Sequence, residues 1–268
     1  MRTIRRNYTI IVVVLISLTY IPIGYMVLVA LTPHEQVFLT LLPRITLNNF
    51  AKVLSNPEIM QTYKNSRIIR SFTVLITLCL GSLAGYGLSR FRVKVQGLLI
   101  ISALITQMLP MVLLAIGYFP IIKNMGLYNT RTALVLLNTT ICLPFSILIL
   151  KSIFDAIPKE IDEAAMIDGC SRMGLFSKIV LPLARGGLFA AGVYTFLMSW
   201  GEYLYALVFT TDARVAPVTV ETTMLLGHFF TKWEIMMALG VISIIPIVAI
   251  FIAFQDVFIK GLIAGSIK

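Results

Sequence analysis

Charge is what this chain has least of. Of its 268 residues only 13% are Asp, Glu, Lys or Arg, 58% are hydrophobic, and the mean hydropathy is +0.92. Soluble domains carry about 25% charged residues, so this balance excludes a soluble globular domain and implies an integral membrane protein. The long apolar runs lack the ten-residue alternation of an outer-membrane barrel and imply helices. Acidic residues are scarcer than basic ones, 12 against 22, which leaves a net charge of +10. That excess sits at the ends of apolar runs without interleaved aromatics, so it reports topology rather than nucleic-acid binding. Cysteine is also scarce. Cys79, Cys142 and Cys170 stand singly, with no disulfide or metal spacing, and read as small packing residues. His228 has no ligand partner at metal spacing and reads as a surface residue. No phosphate-binding loop, nucleophile elbow, HExxH helix or paired-carboxylate arrangement occurs. The chain reads as a pathway and not a catalyst, with no metal site and no cofactor of its own.

What is there is apolar length. Six stretches, 9–31, 68–89, 98–120, 132–151, 187–209 and 235–258, each approach the ~20 residues that cross a bilayer. The fold class expected is all-α, a polytopic membrane protein with six transmembrane helices. Arg2, Arg5 and Arg6 precede the first run, as in a secretory signal. That run is 23 residues long and no small-x-small cleavage site follows, so an uncleaved span is expected. Six spans put both termini on one side. The Arg2-to-Arg6 cluster, the Arg90, Arg92 and Lys94 cluster and the basic residues of the 155–186 loop then share that side, which the positive-inside bias makes cytoplasmic.

Polar residues within these stretches mark packing or a path. Gly81 and Gly85 have the small-xxx-small spacing that lets helices approach closely in lipid. Pro110, near Gln107, predicts a kink or local unwinding. Asn138, Thr139 and Thr140 are expected to bond neighbouring helices. Glu202 is an acidic residue placed inside a span, at a cost of ~2.5–3.5 kcal/mol at a helix centre, so it must face protein or water. With Trp200 and Tyr203 beside it, it is either a path-lining group or a helix–helix hydrogen bond near an aromatic belt. The candidate translocation path is Glu202, Trp200, Tyr203, Asn138 and Gln107. In the outer loop, Thr46 can cap a short helix through Leu54.

The longest charged passage lies between the fourth and fifth stretches, from Asp155 to Gly187. Lys159, Glu160, Asp162 and Glu163 crowd together there. Pro158 suits a first helical turn. Ile157, Ile161, Ala164 and Ala165 share one helical face. Gly169 breaks the pattern, and Ser171 can cap a second short helix that carries Phe176 and ends before Pro182. The plain alternative is a solvated loop.

The order Glu163-Ala164-Ala165, then Asp168-Gly169, then Ile179-x-Leu181-Pro182-Leu183 resembles the EAA loop of permeases in binding-protein-dependent ATP-binding-cassette (ABC) importers. The Thr46–Phe50 run, the Ala84–Arg92 exit and the aromatic-basic-Gly-Leu C-terminus are similar to the carbohydrate, maltose-type group. Gly186-Gly187 stands where that family usually has Pro-Gly, and Gly201 where it often has Asn. The resemblance implies one permease domain over 1–268 and a cytoplasmic coupling helix within loop 155–186. Ile161, Glu163, Ala164, Ala165, Asp168, Gly169 and Phe176 would be its ATPase-coupling residues. It implies a second homologous permease, two ATPase subunits that bind the ATP and Mg, an extracellular or periplasmic solute-binding protein and a carbohydrate substrate. The location implied is a bacterial or archaeal cytoplasmic membrane, with lipid around the chain and no nucleic acid. Two alternatives are a permease for a non-sugar solute and a secondary transporter. The latter usually shows internal repeats and paired intramembrane charges, and neither is visible here. A membrane scaffold would not need the coupling loop.

Overall fold

The computed structural model describes the backbone of residues 2–40, 43–91, 94–226 and 231–266, and within these the side chains of residues 12–254. Arg92, His228 and the C-terminal side chains lie outside the described residues, so the readings placed on them are not addressed. The described residues with regular structure are all helical. Among the described residues four helices are long and apolar enough to cross a membrane: Val12–Ala30, Pro57–Arg90, Arg131–Asp155 and Trp233–Phe254. Two bent pairs, Gln96–Met108 with Met111–Asn124 and Arg172–Leu183 with Arg185–Trp200, raise the number of candidate spans to as many as six.

Local chemistry sets the helix ends. Pro57 opens its helix at the position where the missing N–H is harmless, and Asn56 Oδ1 accepts from Glu58 N at 2.9 Å and Ile59 N at 3.3 Å. The helix therefore starts eleven residues before the apolar stretch expected at 68. Thr130 caps Arg131–Asp155 by accepting from Ala133 N at 3.1 Å. Pro110 does more than kink its stretch. The chain breaks there into two helices at 103°.

The chain forms two compact units, Met1–Gln61 with Val220–Ala249 and Thr62–Thr219 with Ile250–Lys268. In the first, the short helix Asn48–Ser55 follows Thr46, whose Oγ1 accepts from Asn48 N at 3.1 Å. Buried Asn49 donates to Ala30 O at 2.9 Å and Thr32 O at 2.8 Å, which ties the connector to the end of the first helix. His34 Nδ1 meets the buried Glu234 carboxylate at 3.0 Å.

In the second unit, Arg185–Trp200 packs along Arg131–Asp155. A Cβ on Gly187 would stand 2.5 Å from Ile153 Cγ1 and 2.9 Å from Ile153 Cβ, so only glycine fits. The departure Gly186-Gly187 thus supplies a close approach. Gly85 does the same between Pro57–Arg90 and Arg131–Asp155, where a Cβ would lie 3.0 Å from Lys151 N and 3.2 Å from Ile147 O. Ser146 and Thr195 join two of these helices through their hydroxyls at 3.1 Å. The expectation for Asn138, Thr139 and Thr140 is corrected. Asn138 donates to Leu134 O at 2.7 Å, Thr139 to Val135 O and Thr140 to Leu137 O, all within their own helix. A carbonyl three or four residues back lies within reach of a short polar side chain, and it satisfies the group without a neighbour.

Candidate functional site

The 155–187 passage folds as two short helices. The first, Lys159–Ile167, follows Pro158 and ends at Gly169, whose φ of +81° lies in the left-handed region. Cys170 N closes the turn on Ala165 O at 2.9 Å. Ser171 then accepts from Gly174 N at 3.2 Å and starts the second helix.

That second helix does not stop before Pro182; it reaches Leu183. A proline ring clashes with the carbonyl four residues back. Here Phe176–Val180 is a π-helical turn, with Leu181 N bonded to Phe176 O, and this wider turn makes room for the ring.

The amphipathic face is divided differently from the expected one. Ala165 is 7% exposed and packs inward with Leu150, Phe154, Leu175, Phe176 and Val180. Phe176 lies 4.9 Å from the Tyr86 ring and 6.4 Å from Phe154, so it is a core anchor. A small interior that excludes water needs apolar filling, and these are the residues that fill it. Ile161 is half-buried. Glu163, Ala164, Asp168 and Gly169 are exposed, joined by Met166, Met173 and Ile167, the last at 86% exposure. The outer face is therefore an apolar tip flanked by carboxylates.

Sequence reasoning missed two residues. Arg90, the last residue of Pro57–Arg90, donates from Nε to Asp162 Oδ2 at 2.6 Å and from Nη2 to Oδ1 at 3.5 Å. Its Nη1 reaches Phe154 O and its Nη2 reaches Ile157 O, each at 3.0 Å. Both side chains are nearly closed to solvent, Arg90 at 6% and Asp162 at 11%. A basic residue at a helix end reads as topology in a sequence, and nothing local links it to a carboxylate 72 positions away.

The residues of the second expected group each have their own setting. Glu202 is 5% exposed, in a break between Arg185–Trp200 and Leu204–Phe209. Its Oε1 accepts from Tyr205 N at 2.6 Å and its Oε2 from Ala206 N at 3.3 Å. The carboxylate caps the new helix. Sequence reasoning also missed Arg70. It is fully buried and donates from Nη2 to Glu202 O at 3.3 Å. Trp200 is buried, stacked on Phe196 at 5.2 Å and edge-on to Tyr63 at 6.1 Å. Tyr203 is half-buried, and Asn138 is buried in its own helix. Gln107 is exposed and donates to Ile141 O at 2.9 Å across to the Arg131–Asp155 helix. Among the described residues no group of three or more His, Cys, Asp and Glu could hold a metal ion.

Comparison with known proteins decides what this architecture belongs to. Residues 77–264 match the family described as binding-protein-dependent transport system inner membrane component. The chain belongs to that family. This permease is 40% identical over 227 residues to the trehalose/maltose transport system permease protein MalG of Thermococcus litoralis, covering 83% of this chain and 81% of that one. It is 33% identical over 223 residues to the sulfoquinovosyl glycerol transport system permease protein SmoH of Agrobacterium fabrum, covering 83% and 78%. Its fold is that of a chain in a bacterial ABC transporter that imports alginate, with a TM-score of 0.81 at 21% identity over 95% of this chain and 96% of that chain. The permease is a multi-pass membrane protein and the membrane subunit of an ABC importer.

Proposed function

We propose that the permease moves a sugar or oligosaccharide across the cytoplasmic membrane with a second homologous permease, two ATPase subunits and a solute-binding protein. Relatives named for trehalose and maltose and for sulfoquinovosyl glycerol support the carbohydrate class. An alginate transporter in complex with a pentasaccharide-bound periplasmic protein has the same fold, at a TM-score of 0.68. Residues 1–268 act as one permease domain with six spans, each bent pair counting as one, and with both termini and residues 152–186 in the cytoplasm. ATP and Mg bind on the partner ATPases.

The observation that carries the coupling role is the outer face of Lys159–Ile167. An apolar tip of Met166, Ile167 and Met173 stands in water beside Glu163 and Asp168, held on a core of the chain's own residues. A short helix that presents an apolar face with a charged rim suits a groove on a partner. Glu163, Ala164, Asp168 and Gly169 contribute from outside. Ala165, Phe176 and, in part, Ile161 contribute by holding the helix in place. Helix Gln96–Met108 has no buried residue and carries Leu98 and Met108 at 67% and 82% exposure, an apolar face suited to lipid or the second permease.

The test is co-purification from membranes. Wild type brings the ATPase subunits with it, and Ile167→Asp, at wild-type membrane level, loses most of them. Full recovery with Ile167→Asp, or none with wild type, refutes the docking assignment.

A further inference from the structure

We propose that Arg90 and Asp162 are a positioning pair that makes the Lys159–Ile167 helix and the end of the Pro57–Arg90 membrane helix move as one rigid body. The inference rests on the coupling role proposed above. A nine-residue helix has little stability of its own. It hangs between two turns, residues 156–158 on one side and the left-handed Gly169 on the other. A push on Ile167 would be absorbed by bending at those turns unless the helix were braced close to them.

The Arg90 guanidinium braces three places at once. It holds Asp162 inside the short helix through Nε and Nη2, Ile157 O within the first turn, and Phe154 O at the end of Arg131–Asp155. Arg90 itself terminates the membrane helix, so the brace joins the turn to that helix directly. A planar, permanently charged fork with five donors can serve several acceptors in fixed directions, which an ammonium group cannot. The Phe176, Tyr86 and Phe154 rings anchor the second short helix beside it, and Ile157 of the turn packs against the same cluster, but these apolar contacts fix no direction as the guanidinium bonds do. The pair is thus a direct polar link between the docking helix and Pro57–Arg90, and Phe154 O and Ile157 O place it across the turn.

The experiment uses the assembled transporter in lipid, with native cysteines replaced by serine and spin labels at Glu160 and Leu80, both exposed. The distance between the labels is measured with and without Mg-ATP in the wild-type pair, Asp162→Asn, Arg90→Lys and Asp162→Glu. The wild-type distribution stays narrow and keeps its position when ATP is added. In Asp162→Asn and Arg90→Lys it broadens and shifts with ATP. Asp162→Glu, which keeps the carboxylate, returns it towards wild type. A wild-type distance that shifts with ATP overturns the inference. So does an unchanged distribution in both Asp162→Asn and Arg90→Lys. Loss of the chain from the membrane in both of these variants would make the pair a folding requirement only and would also overturn it. If the wild-type chain recovers no ATPase, the coupling role fails instead, which separates the two results.

Discussion

Single side chains in this permease carry roles that their chemistry alone leaves open. A carboxylate in an apolar stretch is costly and needs partners, and Glu202 finds them in two backbone N–H groups, while the buried Arg70 donates to its backbone carbonyl. Glu202→Gln keeps one oxygen for Tyr205 N, whereas Glu202→Ala removes the cap. Loss of a cap costs ~0.5–2 kcal/mol, and a buried N–H left without an acceptor costs ~1–3 kcal/mol. The expected order of membrane level is therefore wild type, then Glu202→Gln, then Glu202→Ala, read by quantitative blotting. Wild-type levels of Glu202→Ala with altered uptake would return Glu202 to a path-lining role. Gly187 supports a second prediction. Gly187→Ala drives a methyl group into Ile153 and should cost ~1–3 kcal/mol as overpacking. Ile153→Ala removes the Cγ1 and Cγ2 contacts and leaves only Cβ, so the double variant should melt closer to wild type than the two single losses predict when added. Strict additivity in thermal melts of the purified chain would show that the close contact is absent.

Helices and turns make the next set of demands. The Gly169 turn holds φ at +81°, and a left-handed non-glycine residue costs roughly 1–2 kcal/mol, more when β-branched. No atom lies within 4 Å of a Cβ built there, so the cost is backbone strain and not a clash. Gly169→Asn should therefore be tolerated while Gly169→Val weakens ATPase recovery with the chain still inserted. Equal recovery by both would remove the turn from the coupling argument. Ala165→Trp acts differently. The side chain points into the cluster of Leu150, Phe154 and Phe176, so tryptophan unseats the short helix from inside and does not block a partner's groove. Limited proteolysis within 155–175 should accelerate in Ala165→Trp before any partner is added. Unchanged cleavage would place Ala165 on the outer face after all.

Across the chain, the proposed topology makes one statement about Cys170 and one about ATP. Cys170 lies half-buried in the loop assigned to the cytoplasm. A membrane-impermeant maleimide should leave it unlabelled in intact cells and label it in inverted vesicles. Labelling from outside would invert the orientation. The purified chain, freed of ATPase subunits, should hydrolyse no ATP. Hydrolysis that persists through that purification would contradict the division of labour between permease and ATPase.

Much of this was legible in the residues. Scarce charge and long apolar runs were enough for an all-helical membrane protein, because a bilayer leaves few ways to satisfy backbone polar groups. The Ser171 cap, the Thr46 bond and the Gly81–Gly85 spacing followed from preferences that act within a few positions. The EAA-like order pointed to the family before any packing was known. What the residues left open is which side of each helix faces inward. The Ile161–Ala165 pattern marks an apolar face, but both the chain's own core and a partner's groove would welcome it. Packing against Phe154 and Phe176 turned Ala165 inward and left Ile167 outside. The 103° break at Pro110 depends on how the flanking helices pack, since a proline removes one hydrogen bond without setting an angle. The Arg90–Asp162 ion pair and the Arg70 bond to the Glu202 carbonyl join positions 72 and 132 residues apart. Burial makes each of these charged groups need a partner, and only the folded chain decides which groups are buried beside each other.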